Sequence, residues 1–432
     1  MRTVLVIAYL LHHSKGSEFS VAWNYVNNMS KNNRLIVLYG SCGGYHKIGN
    51  TAEMEEWCKQ NSVPNVMFYP VKPTFKVQDW DYSLNGIKQF YDEYRLWHQD
   101  LRRVVLEILQ KEKVDIIHFL GPIGYHEPGF LYDLPVPYIW GPVGGIISVP
   151  KRLLLEVDKK TGGRTGMKII TKAFVSKWRL ATNGTVKKAM READVLVCAT
   201  TLNRLSIEKA IGKRHHSRLF YMPENCLDRI SDLNYRKFEN NTIKLISIGR
   251  LDSGKAHIIA LDAIKKLGNA KKHIHFDILG DGPLRGQLQD FVNNNGLNEI
   301  VEFHGNVDRE KVFYMLQNAH LMILTSLIEG NPTVVWECMS HAVPSLTLDH
   351  CGMHDTVSAK SGIKIPLGSY NEVVERITRK LGEVIENPEI LREMAEHLLE
   401  DRKAFTWDKR RVFFEELYIQ AEKQFMNRGK AN

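Results

Sequence analysis

Short apolar runs alternate with longer amphipathic segments along most of the chain. In its first half, runs rich in β-branched and aromatic residues predict strands at 3–9, 34–39, 65–69, 115–120, 137–140, 195–199 and 219–222. Helical patterns lie between them, and the clearest, 94–112, carries one apolar stripe among charged neighbours. This alternation is typical of parallel sheets covered by crossover helices.

A second and more regular series begins after a polar stretch at 223–240. It predicts strands at 243–248, 275–279, 301–304, 321–324, 344–348 and 362–365. Two such series predict an α/β protein with two doubly wound, Rossmann-like domains, 1–222 and 223–405. We expect the helix at about 406–428 to pack back on the first domain. Because ligands of such sheets bind beyond the carboxyl ends of the strands, the cleft between the domains is the expected active site.

Composition adds a charge pattern to this picture. The 432 residues carry a formal net charge of +9, and the segment 151–191 holds twelve basic residues against two acidic ones. An excess of positive charge favours anionic partners.

The six cysteines include no C-x-x-C pair, and no stretch reaches the ~20 apolar residues that cross a bilayer. We interpret 4–11 as a buried strand rather than a targeting segment, and we expect a cytoplasmic protein.

Two glutamates flank a predicted turn from strand to helix. Gly330 and Pro332 mark this turn, and the amides that follow are available to bind an anion such as a diphosphate. Glu329 stands in the loop, whereas Glu337 lies farther along the helix, where it can reach a neutral diol such as a ribose. If the motif stood alone, glutamates that merely cap or solvate a helix would explain it as well.

A second motif ends the first strand of the same domain. Gly249 and Arg250 follow that strand, and Lys255 comes five residues after Arg250, at the start of a helix. Two cations at a strand end, opposite an anion-binding helix terminus, suit the charge that develops on a departing nucleotide diphosphate. The tight turn at 279–283, which includes Gly282, is a weak indication by itself.

Together and in this order, the motifs between 243 and 367, with the pattern Phe405-Thr-Trp407, closely resemble glycosyltransferase family 4. Its members are retaining enzymes of the GT-B fold, in which two Rossmann-like domains face each other across a cleft. The resemblance implies that the C-terminal domain binds a nucleotide-diphosphate sugar and that the N-terminal domain binds the acceptor. It implies the following donor-site residues: Arg250 and Lys255 on the diphosphate, Glu337 on the ribose, Glu329 near the transferred sugar, and Gly16, Gly249, Gly282, Gly330, Asn331, Pro332 and Thr333 as further contacts.

The N-terminal half matches this family more loosely. Gly16 follows the first strand and resembles the family's glycine loop, with Ser17 and Glu18 on the acceptor side; an ordinary turn with Ser17 as helix cap is the alternative. His118 ends the run Asp115-Ile-Ile-His118 on a buried strand, where the family often keeps an active-site histidine that contacts the sugar. A purely structural histidine is the alternative there.

A glycine-rich loop that contains Gly144 and Gly145 resembles one found in a bacterial subset of the family, and we place it on the acceptor side. It departs from that pattern at Ile146, where those relatives often carry an acidic residue, which leaves acceptor specificity open. A second departure is Ala256, where glycine commonly follows the lysine. We expect alanine to fit a helix start there.

Other chemistry finds little support in the sequence. Asp79-Trp-Asp81 looks like a metal-binding Asp-x-Asp, but it lies in an aromatic stretch far from the donor motifs, and we interpret it as a surface loop. The chain has neither a G-x-x-x-x-G-K-[ST] phosphate loop nor an H-E-x-x-H motif. We expect no metal in the active site, no cofactor other than the donor substrate, and no nucleic-acid partner.

The basic segment has two interpretations. Within 164–180, Met167, Ile170, Phe174 and Trp178 fall on one helical stripe, with lysines elsewhere on the turn. Such a helix can lie on an anionic membrane, on the inner face, and deliver the enzyme to a lipid-linked acceptor. In the other interpretation the stripe packs into the N-terminal domain and the lysines are solvated.

The motifs and the resemblance together predict a metal-independent glycosyltransferase that acts on a glycan or glycolipid in cell-surface polysaccharide biosynthesis. Retention of configuration is what the resemblance to family 4 implies. A nucleotide-sugar epimerase of the same fold and a non-catalytic sugar-nucleotide sensor are the alternatives. The epimerase would consume donor without any acceptor, and the sensor would have no need of Glu329, Arg250 and Lys255.

Overall fold

The structure, a computed structural model, describes residues 1–15, 18–40, 51–77, 84–227 and 242–431. The chain divides into two compact units. Unit 1 comprises Met1–Ile146, Trp178–Glu224 and Trp407–Asn432, and unit 2 comprises Ile147–Lys177 and Asn225–Thr406. Among the helices in the described ranges, none combines the length and the hydropathy that a bilayer crossing requires.

Unit 1 is built on a parallel sheet. Its strands are β1 Arg2–Ala8, β2 Asn33–Tyr39, β3 Val66–Pro70, β4 Ile116–Gly121, β5 Tyr138–Val143, β6 Val195–Cys198 and β7 Leu219–Tyr221. They lie in the order β3-β2-β1-β4-β5-β6-β7. The helices are α1 Glu18–Met29, α2 Thr51–Gln60, α3 Leu84–Lys111, α6 Gly184–Glu192, α7 Thr201–Ile211 and α15 Trp407–Ala431. The numbers α4 and α5 belong to Lys151–Thr161 and Gly166–Thr182, and the division between the units falls within α5.

Unit 2 repeats this arrangement. Its strands are β8 Ile243–Ile248, β9 Ile274–Leu279, β10 Val301–Gly305, β11 Leu321–Leu324, β12 Ser345–Leu348 and β13 Gly362–Ile365, in the order β10-β9-β8-β11-β12-β13. The helices after α5 are α8 His257–Lys266, α9 Arg285–Asn294, α10 Arg309–Asn318, α11 Thr333–Ser340, α12 Cys351–Thr356, α13 Tyr370–Glu386 and α14 Glu389–Asp401. In both sheets every neighbouring pair is parallel, as the alternating pattern predicts. The predicted α/β class with two doubly wound sheets is confirmed.

The clearest predicted helix is longer than its pattern indicated. α3 begins at Leu84, ten residues before the predicted start at 94. Phe90 and Tyr94 are buried in its first turns, in the core of unit 1. The aromatic residues therefore extend the apolar face of α3 toward its N-terminus.

Residues 147–177 belong to unit 2, whereas the sequence predicted that all of 1–222 forms the first domain. Leu153, Leu154 and Val157 of α4 belong to the main hydrophobic core of unit 2. Glu156 accepts a hydrogen bond from the backbone nitrogen of Tyr370 at 2.6 Å. An amphipathic stripe predicts that a helix is buried but does not say against which sheet, which is why the sequence misplaced this segment.

The last helix, α15, belongs to unit 1. Arg2 at the start of β1 forms ion pairs with Glu415 at 2.7 Å and Glu422 at 2.8 Å. Phe414 and Tyr418 of α15 are buried against the ring of His118. Contacts so distant in sequence tie the C-terminus to the central strands of unit 1.

Candidate active site

The predicted donor motifs meet where the strand order of unit 2 reverses, between β8 and β11. The loops that follow these neighbouring strands are joined by hydrogen bonds to the carbonyl oxygen of Gly254. The Leu327 nitrogen donates to it at 2.7 Å and the Ser326 hydroxyl at 3.2 Å. Crevices at such reversals are where doubly wound sheets bind ligands.

Lys255 and Glu329 form an ion pair across this reversal point. The side chain of Glu329 is only 10% exposed and that of Lys255 is 25% exposed, so little solvent screens the pair. The stem of Lys255 lies over Gly249, where an added Cβ would be 3.6 Å from Lys255 Cε. The structure thus brings together three residues that the sequence assigned to the donor site.

Arg250 occupies a more open position. Its side chain is 70% exposed, and its Nε lies 3.5 Å from Oδ2 of Asp252. The other oxygen of Asp252 accepts hydrogen bonds from the backbone nitrogens of Gly254 at 2.9 Å and Lys255 at 3.0 Å. Asp252 therefore orders the loop, while the guanidinium of Arg250 stays accessible to an anion.

A cavity of ≈590 Å³ opens at the ends of β8, β9 and β10. It is lined by Ile248, Gly249, Arg250, Leu279, Gly280, Asp281, Gly282, Asn306, Val307 and Val312. The chain packs tightly at its floor, because a Cβ on Gly280 would overlap the carbonyl of Gly249 and φ of Gly280 is +125°. A volume of this size is typical of small-molecule sites, which span roughly 300–1,000 Å³.

The N-terminus of α11 presents backbone amides without a side-chain cap. Pro332 precedes the helix, and no side chain hydrogen-bonds to its first amides. The side chain of Asn331 accepts a hydrogen bond from Trp336 Nε1. The amide nitrogen of that side chain is buried and has no hydrogen-bond partner in the part of the chain that the structure describes. This terminus matches the predicted anion site around Gly330, Pro332 and Thr333.

Glu337 lies one helical turn farther along α11. It is mostly buried, and its Oε1 lies 3.9 Å from Nη2 of Arg309, the first residue of α10. Burial raises the pKa of Glu337, and the charge of Arg309 opposes that shift only in part. Val312, one turn beyond Arg309 on α10, lines the cavity. The first turn of α10 therefore contacts both Glu337 and the cavity.

His118 lies in the core of unit 1. It is completely buried within β4, which continues to Gly121. Its Nε2 donates to the Gly141 carbonyl at 2.9 Å, so its Nδ1 accepts from the Tyr25 hydroxyl at 2.9 Å. Burial lowers its pKa to about 4, which keeps the ring neutral. Both ring nitrogens are engaged in the core, which favours the structural alternative; the catalytic role of His118 stays a prediction.

The other N-terminal predictions are only partly covered by the structure. Gly16 and Ser17 lie outside the described residues, as do Asp79 and Asp81, and Glu18 is the first residue of α1. Gly144 is buried, and its nitrogen donates to the Ile123 carbonyl at 2.7 Å. Gly145 is exposed, with φ of +79°. The acceptor-side roles of these glycines stay predictions.

The backbone conformation of Ala256 is less favourable for alanine than the sequence indicated. It precedes α8 with φ of +52° and ψ of +38°, in the left-handed region. A residue with a Cβ is disfavoured there by roughly 1–2 kcal/mol, which explains why glycine is common at this position in the family. The expectation that alanine simply fits a helix start is corrected accordingly.

Sequence reasoning missed Arg309 and Val312. The only available signal was the start of a helix after the strand turn at 305–307, with Asp308 as its cap. That pattern predicts a helix but not that its first turn faces a cavity.

Helix α5 exposes most of the stripe that its sequence predicts. Met167, Phe174 and Trp178 are 58%, 63% and 57% exposed, and Ile170 is partly buried. Lys168, Lys172 and Lys177 are exposed as well. The interpretation in which this stripe packs into the N-terminal domain is therefore wrong, because three of its four residues are exposed and Ile170 packs against the core of unit 2.

Comparison with known proteins agrees with the donor motifs. Residues 231–398 match the sequence model of the family described as glycosyl transferases group 1. Over 142 residues the chain is 28% identical to the putative colanic acid biosynthesis glycosyltransferase WcaL of Escherichia coli (strain K12). This match covers 31% of the chain and 35% of WcaL, so the chain spans little more than a third of that relative's length.

Two solved structures share the fold over nearly the whole chain. Sucrose-phosphate synthase from Thermosynechococcus elongatus has a TM-score of 0.63 at 13% identity, with 97% of this chain and 99% of the other covered. The pneumococcal O-GlcNAc transferase GtfA, solved in complex with UDP and GlcNAc, has a TM-score of 0.60 at 11% identity, with the same coverage. These similarities confirm the GT-B fold and the resemblance to glycosyltransferases, with which family 4 is compatible.

Proposed function

We propose that this chain is a glycosyltransferase that moves a sugar from a nucleotide-diphosphate sugar to a hydroxyl of a glycan or lipid-linked glycan. One observation carries the proposal: the Lys255–Glu329 pair lies at the reversal point of unit 2, and the stem of Lys255 lies over Gly249, which lines a cavity of ≈590 Å³ at the ends of β8, β9 and β10. The family match at 231–398 supports it, and the name of WcaL favours a role in cell-surface polysaccharide biosynthesis.

In this proposal the donor lies across the strand ends of unit 2. The nucleoside occupies the cavity, and the ribose hydroxyls donate to Glu337. The diphosphate lies between Arg250, Lys255 and the uncapped amides of α11. An ammonium group has three donor hydrogens, so Lys255 can keep its contact with Glu329 and also bind a phosphate oxygen. The UDP and GlcNAc bound to GtfA support a ligand of this class.

Catalysis in this proposal rests on stabilising the leaving group. Charge that develops on the departing diphosphate meets Arg250, Lys255 and the helix terminus, all of which are in place before the reaction. These groups supply the positive charge, so we propose that transfer needs no metal and no further cofactor. Retention of configuration follows from the family 4 resemblance, and the anomeric signal of the product in NMR tests it.

A donor screen tests the proposal. The chain is mixed with uridine-, guanosine- and adenosine-diphosphate sugars, and we expect one series to raise its melting temperature. With that donor, nucleoside diphosphate should be released only when a glycan acceptor is present. Donor consumption without acceptor would indicate the epimerase, and stabilisation without consumption would indicate the sensor. If none of the nucleotide sugars stabilises the chain, the proposal fails.

We also propose that the acceptor is presented on an anionic membrane surface on the cytoplasmic side, with α5 as the docking helix. Exposed Phe174 and Trp178 can insert at the level of the headgroups, where aromatic rings are favoured. The adjacent Lys168, Lys172 and Lys177 supply charge that attracts anionic lipid, at about 1 kcal/mol per residue.

Vesicle binding tests this second part. Vesicles with anionic lipid should bind the chain, salt should release it, and neutral vesicles should bind little. Changing Lys168, Lys172 and Lys177 together to Glu should abolish binding while transfer to a short soluble acceptor continues. The same charge change at Lys265, Lys266 and Lys272, which also lie in unit 2, is the matched control. If the unaltered chain does not bind anionic vesicles, the proposed membrane docking is refuted. If a folded triple variant no longer transfers sugar to the soluble acceptor, these lysines belong to the acceptor site.

A further inference from the structure

Two histidines and two carboxylates form a cluster on one face of the unit 2 sheet. His275 and Asp277 alternate on β9, and Glu302 and His304 alternate on the edge strand β10. Asp277 and Glu302 pair in register. Because side chains two residues apart point to the same face of a strand, the parallel register brings all four side chains together.

The polar atoms of this cluster converge. His275 Nε2 lies 3.3 Å from Asp277 Oδ1 and 3.9 Å from Glu302 Oε2. One ligand atom from each of these three residues lies within 4.8 Å of the others. His304 Nε2 donates to Asp277 Oδ1 at 2.6 Å. Imidazole nitrogens and carboxylate oxygens are the ligand types that zinc and neighbouring divalent metals accept.

We propose that His275, Asp277 and Glu302 bind one divalent transition-metal ion, with Zn²⁺ as the best fit, and that His304 orients Asp277 for it. Ligand atoms bound at about 2.0–2.2 Å in a tetrahedron stand roughly 3.3–3.6 Å apart. The distances of 3.3 and 3.9 Å approach this range, so small side-chain rotations complete the site. A water molecule takes the fourth position.

The surroundings favour a cation and allow it to enter. Glu302 is 61% exposed, which opens the site to solvent, whereas Asp277 is mostly buried. Lys244 on β8 is in register with His275, and its positive charge opposes the binding of a cation. The two negative charges of Asp277 and Glu302, which lie within 3.9 Å of His275 Nε2, outweigh it.

The position of the site indicates a structural role. His304 is followed by Gly305, whose carbonyl accepts a hydrogen bond from the Gly280 nitrogen at 2.7 Å. Asn306 and Val307, the next residues, line the cavity. A metal that joins β9 to β10 therefore braces the edge strand that leads into the cavity wall and does not take part in transfer.

Metal titration of the full chain, free of any affinity tag and stripped with chelator, tests the site. Zn²⁺ by calorimetry and Co²⁺ by its visible absorption should each show one bound equivalent, and Zn²⁺ should raise the melting temperature. His304→Ala should weaken binding by roughly 10- to 100-fold, as loss of an orienting partner does, and His275→Ala should weaken it further. His273→Ala, at the neighbouring His273 outside the cluster, should bind as the unaltered chain does.

Glu302→Gln guards against a misfolded variant, because the side chain is exposed and the change keeps its size. It should lose Zn²⁺ affinity and Zn²⁺-dependent stabilisation while its melting temperature without metal stays the same. The proposal is overturned if the unaltered chain binds no stoichiometric Zn²⁺. It is equally overturned if His275→Ala and Glu302→Gln bind Zn²⁺ as tightly as the unaltered chain, or if His273→Ala loses binding as they do. None of these results depends on glycosyl transfer.

Discussion

The two units share one topology but fill its reversal point differently. In unit 2 the loops after β8 and β11 carry charged side chains, and a cavity of ≈590 Å³ opens at the neighbouring strand ends. At the corresponding place in unit 1, between β1 and β4, the residues Ala8, Leu120 and Ile123 border a space of only ≈10 Å³. In the part of the chain that the structure describes, the strand ends of unit 2 thus border a much larger cavity than the reversal point of unit 1 does.

The difference lies in where the polar residues stand relative to the strand ends. Lys255 and Glu329 lie in loops beyond β8 and β11, whereas His118 lies inside β4, three residues before its end. A side chain within a central strand faces the helices that cover the sheet, and Tyr25 and Tyr418 surround His118 there. Residues past the carboxyl end are the ones available to a ligand.

The largest expected effect is on Lys255. Lys255→Ala should lower turnover by about 100-fold or more, because loss of one preorganised transition-state contact costs ~3 kcal/mol, and Arg250→Ala should act similarly. Steady-state kinetics with the donor from the screen measures it. Lys266→Ala removes a surface pair with Glu375 and serves as control. Near-normal turnover of Lys255→Ala would show that the charged loops of unit 2 do not stabilise the leaving group.

The next effect concerns stability rather than catalysis. His118→Ala leaves the Tyr25 hydroxyl and the Gly141 carbonyl without their partner and opens a cavity, so we expect a loss of about 3 kcal/mol in the free energy of unfolding. At a temperature where the variant is folded, turnover should stay within about threefold of normal, in contrast to Lys255→Ala. Denaturant unfolding and kinetics check both parts. A folded His118→Ala chain with turnover reduced as in Lys255→Ala would instead support the catalytic role of His118.

A smaller effect is expected at Glu337. Glu337→Ala should weaken donor binding roughly tenfold with little change in turnover, because a ribose contact is equal in ground and transition states. Since burial raises the pKa of Glu337 above its ordinary 4.5, its carboxylate is lost early as the pH falls. Donor affinity should therefore decrease as the pH drops through that raised value.

Calorimetry with donor across pH measures this effect. Glu337→Gln should lack the pH dependence, and Glu310→Ala, at an exposed position near the start of α10, should keep it. If Glu337→Ala lost turnover at unchanged donor affinity, the ribose role would be refuted.

The smallest expected effect is that of a chelator. Excess chelator should leave the transfer rate unchanged, since Arg250 and Lys255 provide the positive charge, and should lower only the melting temperature if the β9–β10 site holds zinc. Rates and melting curves measured on one sample separate the two. Complete inhibition that added metal restores would reopen the case for Asp79 and Asp81.

Much of the fold follows from local patterns. Each predicted strand has a counterpart, because a fully buried parallel strand is a short apolar run bounded by turn residues. The donor motifs were equally readable, since each lies in one continuous loop after a strand. The loop 325–330 and the loop 249–255 needed only the parallel topology to meet.

The remaining features depend on contacts that no local pattern contains. The surroundings of His118 could not be predicted because its neighbours Tyr25 and Tyr418 lie 93 and 300 positions away. The cluster of His275, Asp277 and Glu302 requires the register between β9 and β10. The assignment of α4 to unit 2 depends on which core its stripe enters. In each case the local sequence is compatible with several tertiary settings.

The central claim is that the cavity of unit 2 holds the donor. The most direct test is to measure the affinity of the Val312→Trp variant for nucleoside diphosphate. Val312 lines the cavity, so an indole there should fill it and weaken binding by roughly 10- to 100-fold, in line with overpacking costs of about 1–3 kcal/mol. Tyr314→Trp, on the exposed side of the same helix, should bind as the unaltered chain does. Calorimetric titration of the three chains should give this order. Equal affinity of Val312→Trp and the unaltered chain would contradict the account.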